Sequence, residues 1–185
     1  LLDAEKGGYF RIRPDAPDVV TKQLYLPDTA ILVTRFLVEG GVGEVIDFMP
    51  VADGSATDHH QLVRLVRVVR GSMRFITEIE PRFDYARQAH ETTLTPDGVV
   101  FASRDLTLTV HRVGDPIKHG ATRAGMVERT DAGLRVTTTL EAGEVTGVML
   151  ESAVSSPRQI SREELTEMFL ATRAHWRRWL DRSTY

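Results

Sequence analysis

The strongest constraint on this chain is a period-two alternation of apolar and polar residues, interrupted at short intervals by turn signals. Leu106, Leu108 and Val110 alternate with Thr107, Thr109 and His111, and Phe75, Thr77 and Ile79 alternate with Ile76, Glu78 and Glu80. A repeat of two puts successive side chains on opposite faces, the pattern of a half-buried strand. In the run from Leu62 to Arg70, arginines punctuate a strand that is apolar on much of both faces. Val, Thr and Ile supply 46 of the 185 residues, concentrated before residue 155, and β-branched side chains favour strands. The breaks are Glu39-Gly40-Gly41, Ala52-Asp53-Gly54-Ser55, Arg70-Gly71-Ser72, Pro96-Asp97-Gly98, Asp131-Ala132-Gly133 and Ala142-Gly143. Gly supplies the positive φ of tight hairpins, and Asp tolerates it. Strands are expected near 9–13, 20–26, 30–38, 42–50, 61–70, 73–80, 86–94, 98–103, 106–112, 124–130, 133–140 and 145–153. Consecutive strands joined by tight turns form an antiparallel meander. About a dozen of them should fold as two stacked sheets, a large antiparallel β-sandwich of the supersandwich kind.

One segment departs from this pattern. Ser161-Arg162-Glu163-Glu164 reads as a capping box, in which the Ser161 hydroxyl takes the Glu164 amide and the Glu164 carboxylate reaches back. Leu165, Met168, Phe169, Thr172, Trp176, Trp179 and Leu180 follow at three- to four-residue spacing, within an arc of about 120°. Glu163, Glu164 and Glu167 lie early and Arg177, Arg178 and Arg182 late, complementing the helix dipole. A helix over 161–181 is expected. Its apolar face has two open placements: packing on its own sandwich, or presenting Phe169, Trp176, Trp179 and Leu180 to a following domain. The expected organisation is a sandwich over 1–157 and an amphipathic linker helix over 158–185.

Composition removes whole classes of function. Lys and Arg number 23 and Asp and Glu 26, so the formal charge is −3. That gives no general attraction to nucleic acid or anionic lipid. The chain has no Cys, hence no disulfide, thiol catalysis or Cys-bound metal. No apolar run approaches the roughly 18 residues of a membrane span, and the opening Leu1-Leu2-Asp3-Ala4-Glu5-Lys6 is not a signal peptide. A cytoplasmic address is expected, with neither nucleic acid nor membrane as partner. The chain does not begin with Met, as expected of a piece cut from something longer.

Catalytic motifs are missing. Asp58-His59-His60 is the densest group of ligand-type residues, but zinc needs three or four convergent ligands, and adjacent side chains before a strand point apart. His111 and His119 are distant in sequence. Glu78, Glu80 and Asp84 suggest a glycosidase carboxylate pair, yet Glu78 and Glu80 share one strand face and project in parallel, which fits a charged outer surface. There is no phosphate-binding Gly loop, Gly-x-Ser-x-Gly elbow or His-Glu-x-x-His, each a signature of a specific chemistry. No catalytic residue, metal ligand or cofactor is assigned. Sugar-binding sandwiches stack pyranose rings on exposed aromatics; the β-rich part has no Trp, leaving Tyr9, Tyr25 and Tyr85.

Several stretches together are similar to a known family. They are Leu1-Leu2-Asp3 with Gly7-Gly8 and Phe10-Arg11-Ile12; Gln23 to Thr29 running into Val33-Thr34-Arg35-Phe36; Glu44 to Pro50; His60 to Arg64; Pro81-Arg82-Phe83-Asp84-Tyr85; and Trp176 to Asp181 with Ser183-Thr184-Tyr185. Their order and spacing resemble the N-terminal domain of bacterial glucoamylase- and trehalase-like enzymes, the family 15 glycoside hydrolases. The resemblance implies a parent with a β-sandwich joined by a helix to an (α/α)6 barrel. That barrel carries two glutamates for inverting hydrolysis of α-glucosidic bonds, so none of them falls in this chain, and the fragment alone is expected to be inactive. The implied partners are the barrel of the same parent chain, an α-glucoside or oligosaccharide, and a second copy of the chain. Arg82, Phe83, Asp84 and Tyr85 are the candidate substrate rim. Two departures stand out: the family usually has a further stretch before Leu1, and often Gly where this chain has Ala86. A free-standing carbohydrate-binding sandwich and a self-associating scaffold are the alternative functions.

Overall fold

The computed structural model describes residues 6–51, 60–114 and 126–182. Twelve strands precede one helix: β1 (Tyr9–Pro14), β2 (Val20–Tyr25), β3 (Leu32–Val38), β4 (Gly41–Phe48), β5 (Gln61–Glu80), β6 (His90–Thr95), β7 (Gly98–Ser103), β8 (Thr107–Val113), β9 (Met126–Arg129), β10 (Leu134–Glu141), β11 (Val145–Ser152), β12 (Gln159–Ile160) and α1 (Arg162–Leu180). The protein is mainly β and antiparallel, as the alternation predicts. Among the described residues the one parallel pairing is β12 on β8, with Gln159 opposite Arg112 and Ile160 opposite Val113.

β5 joins the two layers. Its first half lies between β4 and β11 in the run β2-β3-β4-β5-β11-β8-β7-β6, and its second half lies between β1 and β10, with β9 beyond. This corrects the hairpin expected at Arg70-Gly71-Ser72: the strand bends there and continues. Gly71 has φ 72°, and a Cβ would lie 2.0 Å from the Gly40 carbonyl oxygen. Glycine is therefore required because the β3–β4 hairpin tip, with Gly41 opposite Gly71, packs against the bend, and no reversal follows. The strand expected over 86–94 also starts late, at His90, because residues 84–87 form a turn.

Burial follows the alternation in part: at the end of β5 Ile76 and Glu78 are buried as well as Phe75 and Ile79. Phe36, Val45, Val66 and Val68 meet Ile12, Met73, Phe75 and Leu140 between the layers. Further along, Val99, Phe101 and Val110 meet Ile79, Phe83 and Leu134. The opposite face of the larger layer, with Ile31, Val33, Ile46, Phe48, Val63, Leu65, Val113 and Met149, is covered by Ile160, Leu165, Met168 and Phe169.

Helix α1 starts as expected, with the Glu164 amide donating to Ser161 Oγ at 3.1 Å. The return half of the capping box is replaced: the Glu164 carboxylate is held by the Arg158 guanidinium at 2.8 and 2.5 Å. Phe169 stacks edge-on to Phe48 at 5.7 Å, and the buried Thr172 hydroxyl accepts the Val51 amide. Beyond Thr172 the stripe leaves the sheet. Trp176 is half-buried and Trp179 is 57% exposed, their rings 5.9 Å apart and edge to face.

Candidate functional site

The segment Pro81–Gln88 is built from the end of β5. Pro81 has no amide hydrogen to extend the ladder, and the chain turns outward. Phe83 anchors the turn: it is buried and packs on His90 at 5.2 Å, and His90 on Phe101 at 5.7 Å. The His90 Nε2–H donates to the Ala132 carbonyl at 3.0 Å, fixing the ring. Phe83 accepts the Gln88 amide at 3.2 Å, and Asp84 accepts the Arg87 amide at 3.1 Å.

Between these closures the backbone is left-handed at three consecutive non-glycine residues: Asp84 (φ 46°), Tyr85 (φ 55°) and Ala86 (φ 66°). Each such residue costs about 1 kcal/mol or more. The conformation is held by Arg87, whose guanidinium pairs with Asp84 Oδ1 at 2.7 Å and lies over the Tyr85 ring at 5.6 Å. Tyr85 is thereby lifted to the apex, 78% exposed. Ala86 occupies a position that glycine would fill without strain, which is why no turn signal marked it.

Beside the turn an open cleft of about 520 Å³ lies between the two layers. Phe10, Ile79, Phe101, Leu106, Leu108 and Leu150 line its apolar part, and Glu80, Arg82, Asp84, Gln88, Ser103 and Asp105 its polar part. The structure thus brings Arg82, Phe83 and Asp84 to one cleft, with Tyr85 on the same turn. Phe169, Trp176, Trp179 and Leu180 lie instead along α1.

The other acidic candidates have different surroundings. The outer surface expected for Glu78 is corrected: it is buried on β5 between its cross-strand neighbours Arg11 and Arg135, which reach its two oxygens at 2.6 and 2.7 Å. Burial pushes its pKa up, but the hydrogen bonds and charges of Arg135 and Arg11 outweigh that, and the net shift is downward. Glu44 repeats the arrangement on β4, between Arg35 and Arg67 at 2.6 Å each. Its pKa is likewise lowered, because the arginine bonds exceed the effect of burial. Both carboxylates are locked as anions, and neither is placed to transfer a proton.

His111 is a buried group that the sequence did not single out for this role. Its Nε2–H donates to Glu151 at 2.9 Å, and its Nδ1 accepts the Arg158 amide at 3.1 Å. Desolvation lowers its pKa, against the opposing pull of Glu151, so it is a neutral structural link between β8, β11 and the segment entering α1. Of the Asp58-His59-His60 group, only the exposed His60 lies among the described residues, and His119 lies outside them. Among the described residues no three His, Asp or Glu side chains converge as metal ligands, and no helix is long and apolar enough to cross a membrane.

A two-layer antiparallel domain with an anchored turn, an adjoining cleft and a helix that overruns its sheet defines a β-sandwich module carrying its features at the edges. The trehalase-like, N-terminal family model matches residues 1–159, and the chain belongs to that family. It is 32% identical over 105 residues to a protein named trehalase from Thermoplasma acidophilum, covering 56% of this chain and 18% of that protein. It is also 32% identical over 101 residues to one named trehalase 2 from Sulfolobus acidocaldarius, covering 55% and 16%. A trehalase from Thermoplasma volcanium is 30% identical over 105 residues. The matched region is less than a fifth of the length of these relatives.

Proposed function

We propose that this chain is the non-catalytic N-terminal β-sandwich of an α-glucoside hydrolase of the trehalase type, in the wider glucoamylase-like group of family 15, and acts in the cytoplasm. The observation carrying this reading is the apolar stripe of α1, which serves the sandwich from Leu165 to Thr172 and then runs on past the sheet as the half-buried Trp176 and the exposed Trp179 and Leu180. An exposed Trp beside a half-buried one at the end of a helix fits a contact with further protein. In this reading residues 158–185 link the sandwich to an (α/α)6 barrel that carries the catalytic glutamates. The 82–85 turn forms one rim of the active-site mouth, its anchored base and strained apex holding Tyr85 in a fixed place.

The test uses two proteins, this chain alone and the chain continued through its parent reading frame. The chain alone should release no glucose from trehalose, maltose or starch, while the longer protein hydrolyses an α-glucoside. In the longer protein, Trp176→Ala with Trp179→Ala should lower activity at least about tenfold, as expected when interface anchors are removed, while this domain keeps its own unfolding midpoint. Turnover by the pure short chain would overturn the reading.

A further inference from the structure

We propose that the cleft between the layers is a binding subsite for a neutral hexopyranose unit, formed by this chain alone. Its volume of about 520 Å³ suits a small ligand. Its surface is divided in the way a sugar requires. Phe10, Leu106, Leu108 and Leu150 offer an apolar floor, with Leu106 45% exposed. Glu80, Asp84, Gln88, Ser103 and Asp105 form a polar border.

The charges at that border cancel locally. Glu80 pairs with Arg82 at 3.1 Å, Asp84 with Arg87 at 2.7 Å and Asp105 with Arg104 at 3.5 Å. The cleft therefore selects neither an anion nor a cation. These contacts, with the Gln88 amide donating to Asp105 at 2.5 Å, also hold the planar polar groups in place. A carboxylate accepts about four hydrogen bonds, so each retains acceptor capacity for a ligand hydroxyl. An apolar side chain from another protein would use only the floor. A pyranose uses both parts, its C–H face on the apolar floor and its hydroxyls on the border.

The strained turn adds an independent reason. Asp84 is both the first left-handed residue and part of the cleft lining, and strain of this kind persists where the surroundings over-determine it. The inference does not require a catalytic domain facing the turn, so its failure would leave the proposed function standing.

The experiment is a titration of 15N-labelled chain with trehalose and with maltose, read by amide chemical shifts, with glycerol as a control polyol. Saturable shifts should appear at Gly8–Phe10 and Ser103–Leu108, with a dissociation constant in the millimolar range, about that of a ligand with few contacts. Leu106→Arg, which places a long side chain in the cleft, should weaken binding at least about tenfold. Leu94→Arg, at an exposed position on β6 outside the cleft, should leave it unchanged. The spectrum itself reports folding, and Asp105→Ala, at an exposed residue, is the second variant should Leu106→Arg misfold. Flat titrations up to about 50 mM sugar, far above a millimolar constant, would overturn the proposal. So would equal shifts with glycerol, or unaltered affinity in the folded cleft variants.

Discussion

Two arginine–carboxylate groups lie six residues apart on the same stretch of chain, with opposite physical characters. At Glu78 the carboxylate is buried in the ladder, and register alone brings Arg11 and Arg135 to either side. At Asp84 the pair with Arg87 is exposed and closes a turn whose backbone three residues disfavour. The first group is fully satisfied and stiffens a sheet. The second holds a shape that the local sequence would not choose, next to a cleft. Polar satisfaction in the interior and tolerated strain at an edge are the signs that separate scaffold from candidate site here.

The largest test of this contrast removes each acid in turn. Glu78→Ala leaves three arginines, Arg11, Arg13 and Arg135, around an empty centre. Urea unfolding should show a loss of about 3 kcal/mol, the low end for breaking a buried pair, because the guanidiniums are half solvated. Asp84→Ala should cost less than about 1 kcal/mol, as for an exposed pair. Equal losses would erase the distinction.

A smaller effect separates the buried groups by pH. The folded chain resists protonating His111, whereas the unfolded imidazole titrates near its ordinary value of 6.5. Below that pH the unfolded state takes up a proton that the folded state refuses, so stability falls until the lower folded pKa is reached. Glu44 and Glu78 shift downward from 4.5. Their contribution is present above that pH and is lost as the pH falls through their lower folded values. Unfolding midpoints measured from neutral to acid pH should therefore decline in two windows. His111→Gln should flatten the upper window and leave the lower, and a wild-type slope in that variant would refute the assignment.

The smallest change refines the turn. Ala86→Gly should stabilise the protein by about 0.5 kcal/mol, because relief of left-handed strain slightly exceeds the added unfolded-state entropy. Thermal unfolding would detect it. A destabilised variant would mean that Ala86 sits there without strain.

Much of the fold was legible in the alternation, because a residue's face in a sheet depends on its parity. The strand between Leu106 and Arg112 and the helix from Ser161 were readable for this reason, one by period two and the other by spacing of three to four. Gly71 was misread as a hairpin because a glycine looks the same whether it reverses a strand or admits a neighbouring backbone. β12 was invisible, since two residues have no periodicity. At the candidate site, Arg82 to Tyr85 came from the family-like motif, whereas the cleft did not, because Phe10, Leu108 and Leu150 come from three separate strands. His111 and Glu151 were likewise hidden by a separation of 40 residues.

The sequence by itself determined the β-rich class, the start of α1 and the similarity to trehalase-like N-terminal domains. These follow from local period, capping chemistry and ordered motifs. The tertiary structure alone decided that β5 serves both layers, that the arginines clamp Glu44 and Glu78, that α1 overruns its sheet after Thr172, and that the strained turn borders a cleft. Each of these depends on contacts between residues far apart in the chain, and such contacts are set by register and packing.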